Sequence, residues 1–168
     1  MDEEAQAKVR AAYRELLTGP QSANLATINA EGTPLASYTP FAVDADKNFY
    51  IFISSLAQHT ANLERNPQAS LMLITDEAAT KQIFARQRVT FTCTARKLKQ
   101  DSDGWQTAAK HYDGRFRSFF KMIRRLSDFS MFKLVPIDGV LVTGFGQAFK
   151  LSGDKLDQLT LMDRRAQT

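Results

Sequence analysis

ISSLAQHTANL, residues 53–63, is the stretch of this chain most suggestive of chemistry. Ser54 and Ser55 stand where a strand is expected to hand over to a helix, and free backbone N–H groups and the helix dipole at such a junction favour a phosphate or carboxylate. His59 falls in the first turn of that helix, with Thr60 beside it. Serine is also an ordinary helix cap, which accounts for Ser55 without any function. Ser54 and His59 together remain candidates for contact with a phosphate or another ligand.

A second group lies in FARQRVTF, residues 84–91. Strand alternation sends Val89, Phe91 and Cys93 toward a core and turns Arg88 outward with Thr90 and Thr92. An outward arginine is ordinarily solvated, but in a dimeric barrel the outer face of a strand can wall the cleft of the other subunit. Other chemistries are excluded by spacing. The only histidines, His59 and His111, are 52 positions apart and offer no metal-ligand pattern. Gly144-Phe145-Gly146 has Phe149 where a dinucleotide fingerprint needs its third glycine, and a turn follows instead of a helix. The glycines are expected where one apolar strand, Val140 to Leu151, bends sharply or meets another backbone. Cys93, the single cysteine, belongs to the core.

A net charge of +4 and a pI near 9.3 suit an anionic ligand and are too mild for a nucleic-acid partner. The charge is concentrated in RFRSFFKMIRR, where Arg115 to Arg125 includes five basic residues and no acid. Phe116, Phe119, Phe120 and Ile123 keep helical spacing there, which predicts a buried stripe under a solvated basic face or a basic rim for anionic groups. The acidic N-terminus has no apolar leader and no run reaches a membrane span, so a cytoplasmic protein with no membrane partner is expected.

These residues must be positioned by a single domain, 1–168: an N-terminal helix (1–19), a barrel with inserted helices (20–151) and a C-terminal tail (152–168). Runs at 23–28, 35–43, 47–54, 69–75, 88–98, 129–135 and 139–151 read as strands. FYIFI, residues 49–53, is apolar on both faces and should be central. Helices are expected at 2–17, at 55–65 with a serine cap, and at 103–126 with a break at Asp113-Gly114, and a helical turn at 80–85. Strands interspersed with helices but lacking regular βαβ alternation predict a closed antiparallel barrel.

The order NLATINAEGTPLASYTPF, FYIFISSLAQHTANLERNPQASLMLI, FARQRVTF, DFSMFKL and GFGQAFKLSGD resembles the HugZ/HutZ-type haem-utilisation family, within the flavin-binding split-barrel superfamily that includes pyridoxamine 5'-phosphate oxidase. The resemblance spans about Asn24 to Asp154 and implies a mainly β, six-stranded antiparallel split barrel, a homodimer, and ligand clefts between subunits holding haem or FMN. It makes Ser54, Ser55, His59, Thr60, Arg88 and Asp128 the candidate cofactor-binding residues. Where the oxidases carry an Arg-Lys pair, this chain reads Ala57-Gln58-His59-Thr60. In the haem-utilisation branch a C-terminal histidine ligates iron, supported by an aspartate matching Asp128. After Asp154 this chain reads KLDQLTLMDRRAQT, without a histidine. Haem is then expected either to bind weakly through the cleft walls and basic residues or to recruit His59 as a substitute ligand to its iron. The implied function is haem binding in haem-iron utilisation, with oxidative haem degradation left open. The alternative is an FMN-binding oxidoreductase.

Overall fold

A computed structural model describes residues 2–162. In chain order they form helix α1 (Glu3–Thr18), strands β1 (Ser22–Ile28), β2 (Pro34–Pro40), β3 (Ala42–Val43) and β4 (Phe49–Ser54), helix α2 (Gln58–Arg65) and strand β5 (Gln68–Ile74). A 3-10 turn (Ile83–Ala85), strand β6 (Arg88–Lys97), helix α3 (Asp103–Ile123) and strands β7 (Phe129–Gly144), β8 (Gln147–Ser152) and β9 (Gln158–Leu161) complete them. Every ladder is antiparallel, in the order β2-β1-β5-β6-β7-β4-β3, and β8 pairs with β7 and with β9.

Among the described residues nine strands pair. The longer β1, β2, β4, β5, β6 and β7 wrap the core, β3 is a two-residue stub, and β8 and β9 extend one end of β7. Among the described residues no ladder joins β2 to β4, so the barrel stays split along that seam. Tyr112 bridges the seam: its hydroxyl donates to the Pro40 carbonyl at 2.8 Å and accepts from the Phe52 N–H at 3.1 Å.

Strand alternation sorts the core into two layers. Phe49, Ile51 and Ile53 enter the barrel with Leu71, Val89, Phe91, Cys93 and Leu141, while Tyr50 and Phe52 lie beneath Trp105, Ala108, Ala109, Tyr112 and Phe120 of α3. This double cover makes FYIFI apolar on both faces, yet β4 is next to last in the sheet and not central. Burial pushes the Cys93 thiol up to about 12, so it stays protonated core. Asp2 caps α1 by accepting from the Ala5 N–H at 2.8 Å, and Val9, Tyr13, Leu16 and Leu17 form its buried face.

Several local expectations are corrected. The stretch from Val140 to Leu151 is not one bent strand but the hairpin between β7 and β8, with Gly146 at φ 71°. The close backbone approach occurs instead at Gly139, where a Cβ would lie 3.0 Å from the Thr90 carbonyl oxygen, the Phe91 ring and Leu151. Helix α3 continues through Asp113-Gly114 and breaks at Arg117, whose φ of 43° and ψ of −116° are foreign to a helix. Trp105 and Arg124 would be about 28 Å apart along a straight helix, but the Arg124 guanidinium lies 5.3 Å from the Trp105 ring centroid. The chain thus folds back at Arg117. Phe120 is fully buried by this reversal, against Tyr112 and Phe52, whereas Phe119, expected in the same stripe, is 58% exposed. Arg115 ties the reversal to α1 by donating to the carbonyls of Thr18 and Pro20.

Candidate functional site

The end of β4, the start of α2 and the turn before β7 meet through hydrogen bonds that no local pattern announces. Ser54 Oγ donates to the Asp128 carboxylate at 2.9 Å and accepts from the Leu56 N–H at 3.2 Å. The Ser55 N–H donates to the Asp128 carbonyl at 2.7 Å. Thr60 Oγ1 donates to the Ser54 carbonyl at 2.6 Å, which pins the first turn of α2 to the strand end. Ser55 does not cap the helix; α2 begins at Gln58, after Ala57, without a side-chain cap. Its placement comes from the other side: buried Asn62 donates to Thr27 Oγ1 of β1 at 2.9 Å and accepts from Gln58 at 3.1 Å.

His59 is held by a residue the sequence reading missed. Its Nδ1 lies 3.1 Å from Ser37 Oγ on β2, and that hydroxyl donates to the Leu25 carbonyl at 3.0 Å. With the Ser37 proton committed to Leu25, Ser37 can only accept, so Nδ1 carries the imidazole proton and Nε2 keeps its lone pair. Among the described residues nothing hydrogen-bonds Nε2. Half burial lowers the His59 pKa below its ordinary 6.5, which favours this neutral form. Only cross-strand pairing of β1 with β2 carries Ser37 to the histidine, and no sequence signal marked it.

The depressed pKa fixes a sign. The folded state binds the His59 proton less readily than the unfolded chain, so its contribution is present above the unfolded value and is lost as pH falls through the folded one. Wild-type melting temperature should therefore fall as pH drops below about 6.5, and His59→Ala should fall less over the same range. Equal slopes in a pH series of thermal melts would assign the loss to other groups.

Arg88 does not join this cluster. It sits on the outer face of β6, pairs in register with Ile74 and Val142, and donates from Nη1 to the Arg86 carbonyl at 3.0 Å. Val142 and Phe129, the register partner of Ser54, are thirteen positions apart along β7. Neighbouring Arg86 is structural: its Nε donates to the Thr75 carbonyl at 2.8 Å and it pairs with Glu77 at 3.2 Å. His111 stacks on Tyr50 at 5.6 Å and takes no part in the cluster. The described residues hold no group of three or more metal-ligating side chains.

Residues 9–142 match the pyridoxamine 5'-phosphate oxidase family. Heme oxygenase HutZ of Vibrio cholerae is 39% identical over 154 residues, 92% of this chain and 87% of the relative. The chain belongs to the HutZ-type family within the pyridoxamine 5'-phosphate oxidase superfamily. The crystal structure of V. cholerae HutZ, described as a heme storage protein, superposes with a TM-score of 0.76 at 34% identity, covering 82% of this chain and 97% of that one. Campylobacter jejuni ChuZ gives a TM-score of 0.81 at 27% identity, with 93% of this chain and 63% of that one covered. These likenesses establish the split-barrel fold.

Within that HutZ-type scaffold the donor set suits one cofactor better than the other. A flavin phosphate needs free hydroxyls and cations, but Ser54 is engaged by Asp128, Thr60 by the Ser54 carbonyl, and the adjacent Asp128 carboxylate repels an anion. Haem iron needs a neutral imidazole with an open nitrogen, which His59 offers. Residues 155–168 contain no histidine, and residues 163–168 lie outside the described residues.

Proposed function

We propose that this chain is a haem-binding protein of haem-iron utilisation, acting in the cytoplasm as a homodimer, with His59 as the iron ligand. The observation that carries this reading is the oriented imidazole: Ser37 and Leu25 hold the proton on Nδ1 and leave Nε2 as a Lewis base. Support comes from the family membership and from HutZ, one relative being described as a heme oxygenase and a heme storage protein. Bound haem would supply a redox-active iron and two carboxylates. In this reading Ser54 holds Asp128, Thr60 fixes the helix start that carries His59, and Ser55 lies at the rim.

Arg88 completes the site from a second copy of the chain, because its position on the outer face of β6 separates it from the His59 of its own barrel. An arginine contact with a haem carboxylate contributes about 1.5 to 3 kcal/mol, so Arg88→Ala should weaken haemin binding by about tenfold or more. Light scattering should give about twice 18.9 kDa at micromolar concentration. A concentration-independent monomer, or unchanged haemin affinity of Arg88→Ala, would remove Arg88 from the site.

An FMN-binding oxidoreductase on the same barrel is the second reading, favoured by the match of residues 9–142 to the oxidase family. Titrating one preparation with haemin and with FMN separates the two. A saturable Soret band with no flavin uptake supports the first reading, and stoichiometric FMN binding without a Soret band supports the second.

A further inference from the structure

The reversal of α3 builds a basic groove that none of Ser37, His59 or Arg88 lines. A cavity of about 460 Å³ lies between the strand ends and the folded-back helix, with Lys97, Lys99, Trp105, Arg124, Ser127 and Ser130 in its wall. A second hollow of about 620 Å³ shares Gln100, Trp105 and Arg124 with the first and adds Lys121 and Arg125. Lys97 is neutralised by Glu64 at 2.6 Å. Among the described residues Lys99, Lys121, Arg124 and Arg125 have no ion-pair partner, and Asp101 is the one acid lining either hollow.

Two observations set this cluster apart from a solvated basic face. The Arg124 guanidinium is fixed over Trp105 at 5.3 Å and over Phe120 at 5.8 Å, so it is presented already ordered. The reversal that brings Lys121, Arg124 and Arg125 over the groove passes through Arg117 in a backbone conformation that L side chains rarely adopt. Strain of that kind persists where the surrounding structure enforces it, and here the burial of Phe120 against Tyr112 and Phe52 holds the three cations in place. A second copy of this face would bring the same four cations against these, so self-association does not answer the charge. A small anion does.

We propose that this groove binds a small phosphate-bearing molecule, a phosphate ester or polyphosphate. The four unpaired cations meet the phosphate oxygens, and the Ser127 and Ser130 hydroxyls supply neutral donors. The proposal is independent of haem binding at His59.

Trp105 is the only tryptophan in the chain, so its fluorescence reports on the cation lying over it. Titration with inorganic pyrophosphate at constant ionic strength should give a saturable change in Trp105 emission and a rise in melting temperature. Arg124→Gln should abolish the emission change, and Arg125→Gln should raise the apparent Kd by about tenfold. Lys8→Gln, on the exposed face of α1, should leave the titration unchanged. Because Arg125 is exposed, its variant carries the test even if Arg124→Gln fails to fold. A response that does not saturate, that equal ionic strength of sodium chloride reproduces, or that Arg125→Gln leaves intact would overturn the proposal.

Discussion

Replacing His59 with alanine should lower haemin affinity by about a hundredfold or more and abolish the ligated Soret spectrum. Outer-sphere hydrogen-bond partners of a metal-ligating histidine are typically worth about 10- to 100-fold in metal affinity, and the ligand itself is worth at least the upper end of that range. The same range sets a companion result. Ser37→Ala keeps the imidazole but releases its Nδ1–H from the acceptor at 3.1 Å, so the ring can rotate or change tautomer. Haemin should then bind about tenfold more weakly. His111→Ala should change neither, since His111 is stacked on Tyr50. If His59→Ala leaves spectrum and affinity intact while His111→Ala abolishes the ligated species, the site is in the wrong place. If neither variant matters and an added C-terminal histidine restores a ligated spectrum, the chain has kept the scaffold without an iron ligand of its own.

The largest effect on stability is expected at Phe91. Its ring is 0% exposed, lies 5.1 Å from Phe49 and 6.4 Å from Tyr13, and sits flush against the bare backbone of Gly139. Its neighbours are held in ladders on both sides of β6 and cannot collapse into the space it would leave. Phe91→Ala should therefore cost about 3 to 5 kcal/mol, a large share of the roughly 5 to 15 kcal/mol that holds a domain of this size folded. Urea denaturation should record it as a lower midpoint with an unchanged slope. A loss below about 1 kcal/mol, the ordinary size for an average substitution, would mean that the barrel interior relaxes around the cavity.

Much of this architecture was legible in the sequence because its causes are local. Alternation in RVTFTCTA placed Val89, Phe91 and Cys93 inward and Arg88 outward, since successive side chains of a strand point to opposite faces. The acids of its first turn and the spacing of Val9, Tyr13, Leu16 and Leu17 marked α1 for the same kind of reason, a favourable helix dipole and a period of 3.6. Asp128 was identifiable only by resemblance and His59 only as part of a strand-to-helix junction, and nothing in their own neighbourhoods stated what they would touch.

Tertiary structure decided the rest. Ser54 meets Asp128 across 74 positions and His59 meets Ser37 across 22, through the β4–β7 and β1–β2 ladders. FYIFI is apolar on both faces because α3 covers the outer side of a near-edge strand, a fact that belongs to α3 and not to β4. The break in α3 also escaped local rules. Gly114 costs a helix about 1 kcal/mol, too little to end one, while burial of Phe120 against Tyr112 and Phe52 outweighs the strain of turning the chain at Arg117. Patterns along a chain report what each segment prefers alone; a reversal or a shared hydrogen bond depends on the free energy of contacts between segments, which exists only once both are in place.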